Sequence, residues 1–196
     1  MRMSILMLLA ACLVGSGSSS AAGTGAEYRL GDRLSQPKSA APPAAGYEEI
    51  GWDALIPQDW DPRQAFKGLD LATLTDADPR AMEALRRLKD TWDNAPVESS
   101  LRGRRIRIAG FLVPLERKGE EVSEFLLVPY FGACIHTPPP PANQIIHVVS
   151  AKPLKGAQSM DPVWVSGTLE IGRAESAFGT SGYRMRAELV APYTRR

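Results

Sequence analysis

From about Arg104 onward the chain reads in steps of two. Arg105-Ile106-Arg107-Ile108 alternates and then runs apolar through Val113. That pattern predicts a strand. Four more runs follow: 124–130, 145–150, 163–171 and 183–190, the last with clean alternation from Tyr183 to Val190. Pro114 and Lys118-Gly119-Glu120 mark a turn between the first two, and Pro129 marks an edge or bulge. Ahead of the strands the period lengthens. Met82, Leu85, Leu88 and Trp92 fall close to one helical face, while Arg86, Arg87, Lys89 and Asp90 lie mostly off it. Asp78 is a suitable N-cap, Pro79 suits the first helical position, and the helix should end near Asp93-Asn94-Ala95-Pro96.

One helix followed by five strands predicts a mainly β fold with one packing helix. A small five-stranded barrel of OB type fits, since closure limits exposed edges. The globular domain should cover residues 47–194. Within it, 47–62 reads as irregular chain that packs Tyr47, Trp52 and Trp60 on the domain or offers them to a partner.

The first residues show neither period. Met1-Arg2-Met3 is a short positive start, and Ile5–Ala11 is an apolar run too short to span a bilayer. Leu9-Ala10-Ala11-Cys12 has the form of a lipobox, so residues 1–11 read as a lipoprotein signal peptide. Cys12 is then the lipid attachment site. Leu13 after it resembles lipoproteins sorted to the outer membrane. The rival reading is ordinary signal cleavage near Ser20-Ala21-Ala22. Both readings export the chain. Residues 12–46, rich in Gly, Ser, Ala and Pro, read as anchor and flexible linker.

Charge changes the picture mainly by exclusion. The formal net charge is +1 and aromatics are 7% of 196 residues. An OB-like barrel invites a nucleic-acid reading, but a near-neutral, aromatic-poor, exported chain argues against it. The Arg102–Arg107 cluster reads as the solvent side of the first strand.

The candidate chemistry sits in Phe131–His147. This stretch holds both histidines, His136 and His147, and the single cysteine beyond Cys12, Cys134. In extended chain, Cys134 and His136 share a face. His147, returning on the next strand, would make a third donor. Thiolate and imidazole suit Zn(II), and copper nearly as well, with a fourth position open. An unpaired thiol outside the cytosol also calls for a role or a burial. The run Pro138–Pro141 is either a stiff spacer between ligand segments or a rigid surface strip. Asn143 and Gln144 either orient an imidazole from the second shell or cap the loop. The plain alternative makes Cys134 a small hydrophobe and His147 a satisfied core histidine.

Phe131-Gly132-Ala133-Cys134-Ile135-His136, the four prolines and Asn143-Gln144 also carry a resemblance. With Ile50–Pro57, Gly110–Glu116, Phe125–Tyr130 and Val190–Tyr193, they resemble an uncharacterised bacterial family of exported proteins and lipoproteins, a domain of unknown function. The resemblance covers about residues 48–194. It implies export and, in some members, genes beside zinc-responsive ABC-transporter operons.

The expectation is therefore a lipoprotein on the periplasmic side of the cell envelope, anchored to the outer membrane. It would bind a soft or borderline divalent ion at Cys134, His136 and His147. Its partners would be the membrane, through the lipid anchor, and ABC-transporter components, but not nucleic acid. One alternative is a structural or interaction module of an envelope transporter without metal. The other is a thiol enzyme with Cys134 as nucleophile and a histidine as base.

Overall fold

A computed structural model describes residues 28–34, 46–61 and 79–194. The expected signal peptide, Cys12, the Asp78 cap and most of the linker lie outside the described residues.

Five long strands form the body: β2 (Arg105–Lys118), β3 (Glu121–Val128), β4 (Ile146–Lys155), β5 (Pro162–Ser176) and β6 (Gly179–Pro192). A two-residue strand, β1 (Glu48–Glu49), adds to the side of β2 in parallel. The hydrogen-bonded order is β2-β3-β4-β6-β5, and β5 returns to β2, so the sheet closes. β4 and β6 run parallel and the other barrel pairs antiparallel. This is the mainly β, OB-like barrel with one helix that the alternation predicts.

Period two explains the two sides of the wall. Ile106, Ile108 and Leu112 of β2 point inward with Phe125, Leu127, Ile146, Val148, Val165, Tyr183 and Met185. The intervening residues Ala109, Phe111, Val113, Leu126 and Val128 point outward, yet they are buried too. Loops cover them, and this is why the first strand runs apolar after Ile108 rather than continuing to alternate. β2 also continues through Pro114, where two register shifts between Pro114 and Arg117 mark bulges that absorb the proline.

Two expectations change. Helix α1 (Pro79–Asp93) spans the predicted residues, and its end is tied by Asn94 Nδ2 donating to the Asp90 carbonyl at 2.8 Å. Its packing face is shifted: Leu88 and Trp92 of the expected stripe are part-buried. Ala84 is buried, while Met82 and Leu85 are 62% and 59% exposed. The helix meets the barrel chiefly at β6, so periodicity identified the helix but only part of the side that packs. The second change is in the linker. Tyr28–Leu34 packs on the domain, with Leu34 buried in the outer cluster and Tyr28 against it. Tyr28, Leu30 and Leu34 are the large apolar side chains there, and they supply the surface that glycine and serine lack.

Candidate functional site

The motif fills the connection from β3 to β4 and folds as turns. The Gly132 carbonyl accepts from the backbone N–H groups of Ile135, His136 and Thr137 at 3.3, 2.9 and 3.1 Å. It also accepts from Thr137 Oγ1 at 3.2 Å. The chain is thus wound around one oxygen. Cys134 has φ +66, in the left-handed region that non-glycine residues rarely enter. The extended geometry expected at Cys134 and His136 is therefore replaced by a turn, and the two do not share a strand face. Glycine 132, at φ +85, starts the turn.

Cys134 is part-buried and packs against the outer cluster. Burial pushes its thiol up to about 12, so it stays protonated at neutral pH. His136 is exposed. His147 lies on β4, between Leu126 of β3 and Arg184 of β6. Its neighbours Ile146 and Val148 fill the barrel interior, so His147 faces outward, but it is 5% exposed.

His147 has a partner that the sequence reading missed. Its Nε2 lies 2.6 Å from Glu124 Oε1. With the carboxylate accepting that N–H, Nδ1 presents a lone pair. Nδ1 is buried and has no hydrogen-bond partner. Only the hairpin register reveals this pair, because Glu124 and His147 stand 23 residues apart. Cys134 Sγ does not fill the vacancy at Nδ1, so no Cys–His pair is formed there. Among the described residues, no three His, Cys, Asp or Glu side chains gather around a point suited to an ion. The structure does not bring Cys134, His136 and His147 together as a set of three.

Asn143 and Gln144 serve the fold. Both are buried in a 3-10 turn, Ala142–Gln144. Asn143 Nδ2 donates to the Pro96 carbonyl at 2.8 Å and Gln144 Nε2 to the Trp52 carbonyl at 2.9 Å. Neither orients an imidazole by these bonds. They tie the irregular segments before the barrel to its wall. Tyr183 does the same from inside, donating to the Leu55 carbonyl at 2.8 Å and accepting from the Glu98 N–H at 2.6 Å. The proline run docks as well: Pro140 is buried, and a Cβ on Gly179 would sit 2.8 Å from Pro139 Cβ. Met160 Sδ accepts from the Gly132 N–H at 3.0 Å and holds the start of the turn.

A family model described as "Protein of unknown function (DUF3299)" matches residues 52–192, which include the barrel and the whole motif. The chain belongs to the DUF3299 family. A solved structure of a DUF3299 family protein from Pseudomonas aeruginosa is 38% identical. The match covers 76% of this chain and 98% of that one, with a TM-score of 0.60. An asparaginyl-tRNA synthetase structure from Pyrococcus horikoshii is 16% identical over 48% of this chain and 20% of its own, with a TM-score of 0.31. At that score the likeness says nothing about fold or function. No curated protein matches. In this chain the β3–β4 connection divides its roles: the Asn143 and Gln144 amides serve packing, and the outer turn carries the exposed His136 imidazole.

Proposed function

We propose that this DUF3299 protein is an exported interaction module of the bacterial cell envelope. A lipid on Cys12 holds it to the membrane, and it serves an ABC-transporter system. The supporting observation is how the motif divides its residues. Gly132, Ala133, Pro140, Ala142, Asn143 and Gln144 are buried in the scaffold, while Ile135, His136 and Pro138 are displayed. Leu30, 59% exposed, lies beside them against Gly132. A rigid rim with apolar and imidazole groups suits recognition of another protein. The test is a photo-crosslinker at Ile135 in living cells. Capture of an ABC-transporter component, lost on His136→Asp and unaffected by Cys134→Ala, supports the reading. Equal capture by a chain with a scrambled 135–138 rim sinks it.

A second reading has its own observation, the His147–Glu124 pair. Histidines that ligate metals commonly donate their other ring N–H to a carboxylate, as His147 does here. Nδ1 would then be one donor for Zn(II), or for copper, with Cys134 and His136 drawn in from the neighbouring turn. A buried thiol pushed up to about 12 opposes this until a cation displaces its proton. Zinc titration of the folded chain with His147→Ala, Glu124→Gln, Cys134→Ala and His136→Ala decides it. One equivalent lost in the His147 variant supports an ion site. Unchanged binding in all four variants, or none in the parent, removes it.

A further inference from the structure

We propose that Tyr28–Leu34 is a clamp that sets the length of the membrane tether and the face of the domain turned toward it. The tether role rests on the lipid-anchored reading above. The seat itself rests on contacts within the structure.

The segment is held on both sides. The Gly31 N–H donates to the Phe131 carbonyl at 3.0 Å, and the Phe131 N–H donates back to the Asp32 carbonyl at 2.8 Å. Arg33 and Tyr130 form an antiparallel bridge, and the Arg33 guanidinium lies 5.8 Å from the Tyr130 ring centre. The Tyr28 ring meets Phe111 edge-on at 5.1 Å and stacks on Phe131 at 5.9 Å. Leu30 uses a space that only a glycine leaves: a Cβ on Gly132 would lie 2.2 Å from Leu30 Cδ2. The seat is therefore shaped for this peptide. It is also small, with one short bridge and a few apolar side chains, so it opens more readily than the barrel does.

Chain length turns this contact into a device. From Cys12 to Tyr28 there are about 16 residues, which reach at most ~55 Å. If the clamp opens, the next contact among the described residues is at Tyr47, about 35 residues from Cys12, with a maximum reach of ~120 Å. Seating the segment more than halves the reach. It also puts the attachment point beside the motif turn, so that Leu30, Ile135 and His136 lie at the membrane-proximal end. A competitor for the seat would free the domain to extend outward.

The test uses the full lipidated chain on supported bilayers of phosphatidylethanolamine and phosphatidylglycerol. Neutron reflectometry reads how far the protein extends, and trypsin reads the seat through cleavage after Arg29 and Arg33. The parent should be cut at these sites at least tenfold more slowly than a Tyr28→Ser, Leu34→Ser double variant or Gly132→Ala. Both variants should extend further from the bilayer. A Gly-Ser insertion of about 19 residues between Gly23 and Thr24 should restore the long reach with trypsin protection kept. Equal cleavage in parent and unseated variants would overturn the clamp. Equal extension of parent and insertion variant would overturn its control of reach. If the chain made in its own cells carries no lipid on Cys12 and yet keeps its trypsin protection, the tether role and the anchored reading fall together, while the seat stands.

Discussion

The Nε2 amide of Gln144 donates to the Trp52 carbonyl across 2.9 Å, between residues 92 positions apart. Trp52 in turn donates its indole N–H to the Ala109 carbonyl at 2.7 Å. One motif side chain thus locks the segment before the helix onto the barrel wall. Gln144→Ala leaves the buried Trp52 carbonyl short of a donor. The expected cost is about 1–3 kcal/mol, or a fall of roughly 2–10 °C in the thermal midpoint. Scanning calorimetry checks it, and a midpoint equal to the parent's would mean the bond stabilises nothing.

Cys134 should react slowly. Burial raises its thiol from 9.0 to about 12, so at pH 8 the folded chain presents far less thiolate than an unfolded one. Iodoacetamide labelling at pH 8 should be at least ~100-fold slower in the native protein than in urea. The linkage has a definite sign. The stability that the protonated thiol contributes is complete below pH 9 and is lost as pH rises from 9 toward 12. Cys134→Ala should flatten that alkaline decline. An identical alkaline profile in the variant would show that the thiol does not cause it.

Gly167 lies where β5 and β6 change register, between Ser166 and Gly167. A Cβ there would stand 2.2 Å from the Arg186 carbonyl oxygen and 2.9 Å from Ala187 Cα. Both are backbone atoms and yield little. Gly167→Ala should destabilise the domain by about 2 kcal/mol or more. Urea melts of the two proteins measure it, and a difference under about 0.5 kcal/mol would show that the strands separate freely.

Truncation should separate the tether from the clamp. Removing residues 13–27 is expected to leave the thermal midpoint unchanged. Removing 13–34 should lower it by several degrees, because Tyr28 no longer covers Phe111 and Phe131 and Leu34 is lost from the outer cluster. Equal midpoints for the two truncations would return Tyr28–Leu34 to the linker.

The candidate site was legible unevenly. Cys134, His136 and His147 are visible in the sequence as a concentration of donor side chains, but their geometry was not. The left-handed turn at Cys134 depends on Gly132 and on the Met160 sulfur that holds it from another loop. Glu124 could be linked to His147 only through the pairing of β3 with β4. The clamp had a faint signal: Tyr28, Leu30 and Leu34 stand out in a stretch dominated by small residues and proline.

The sequence alone determined the kinds of element and their order. Alternation at period two and turn residues are properties of neighbouring positions, so they marked five strands and one helix whatever the rest of the chain did. Tertiary structure decided which faces meet. Met82 and Leu85 belong to an amphipathic pattern yet stay exposed, and Phe111 points away from the barrel interior yet is buried. It also decided that Asn143 and Gln144 hold the scaffold while His136 remains outside. Periodicity specifies that a side has an apolar surface, whereas its partner is chosen by register, closure and loop docking among residues far apart in the chain.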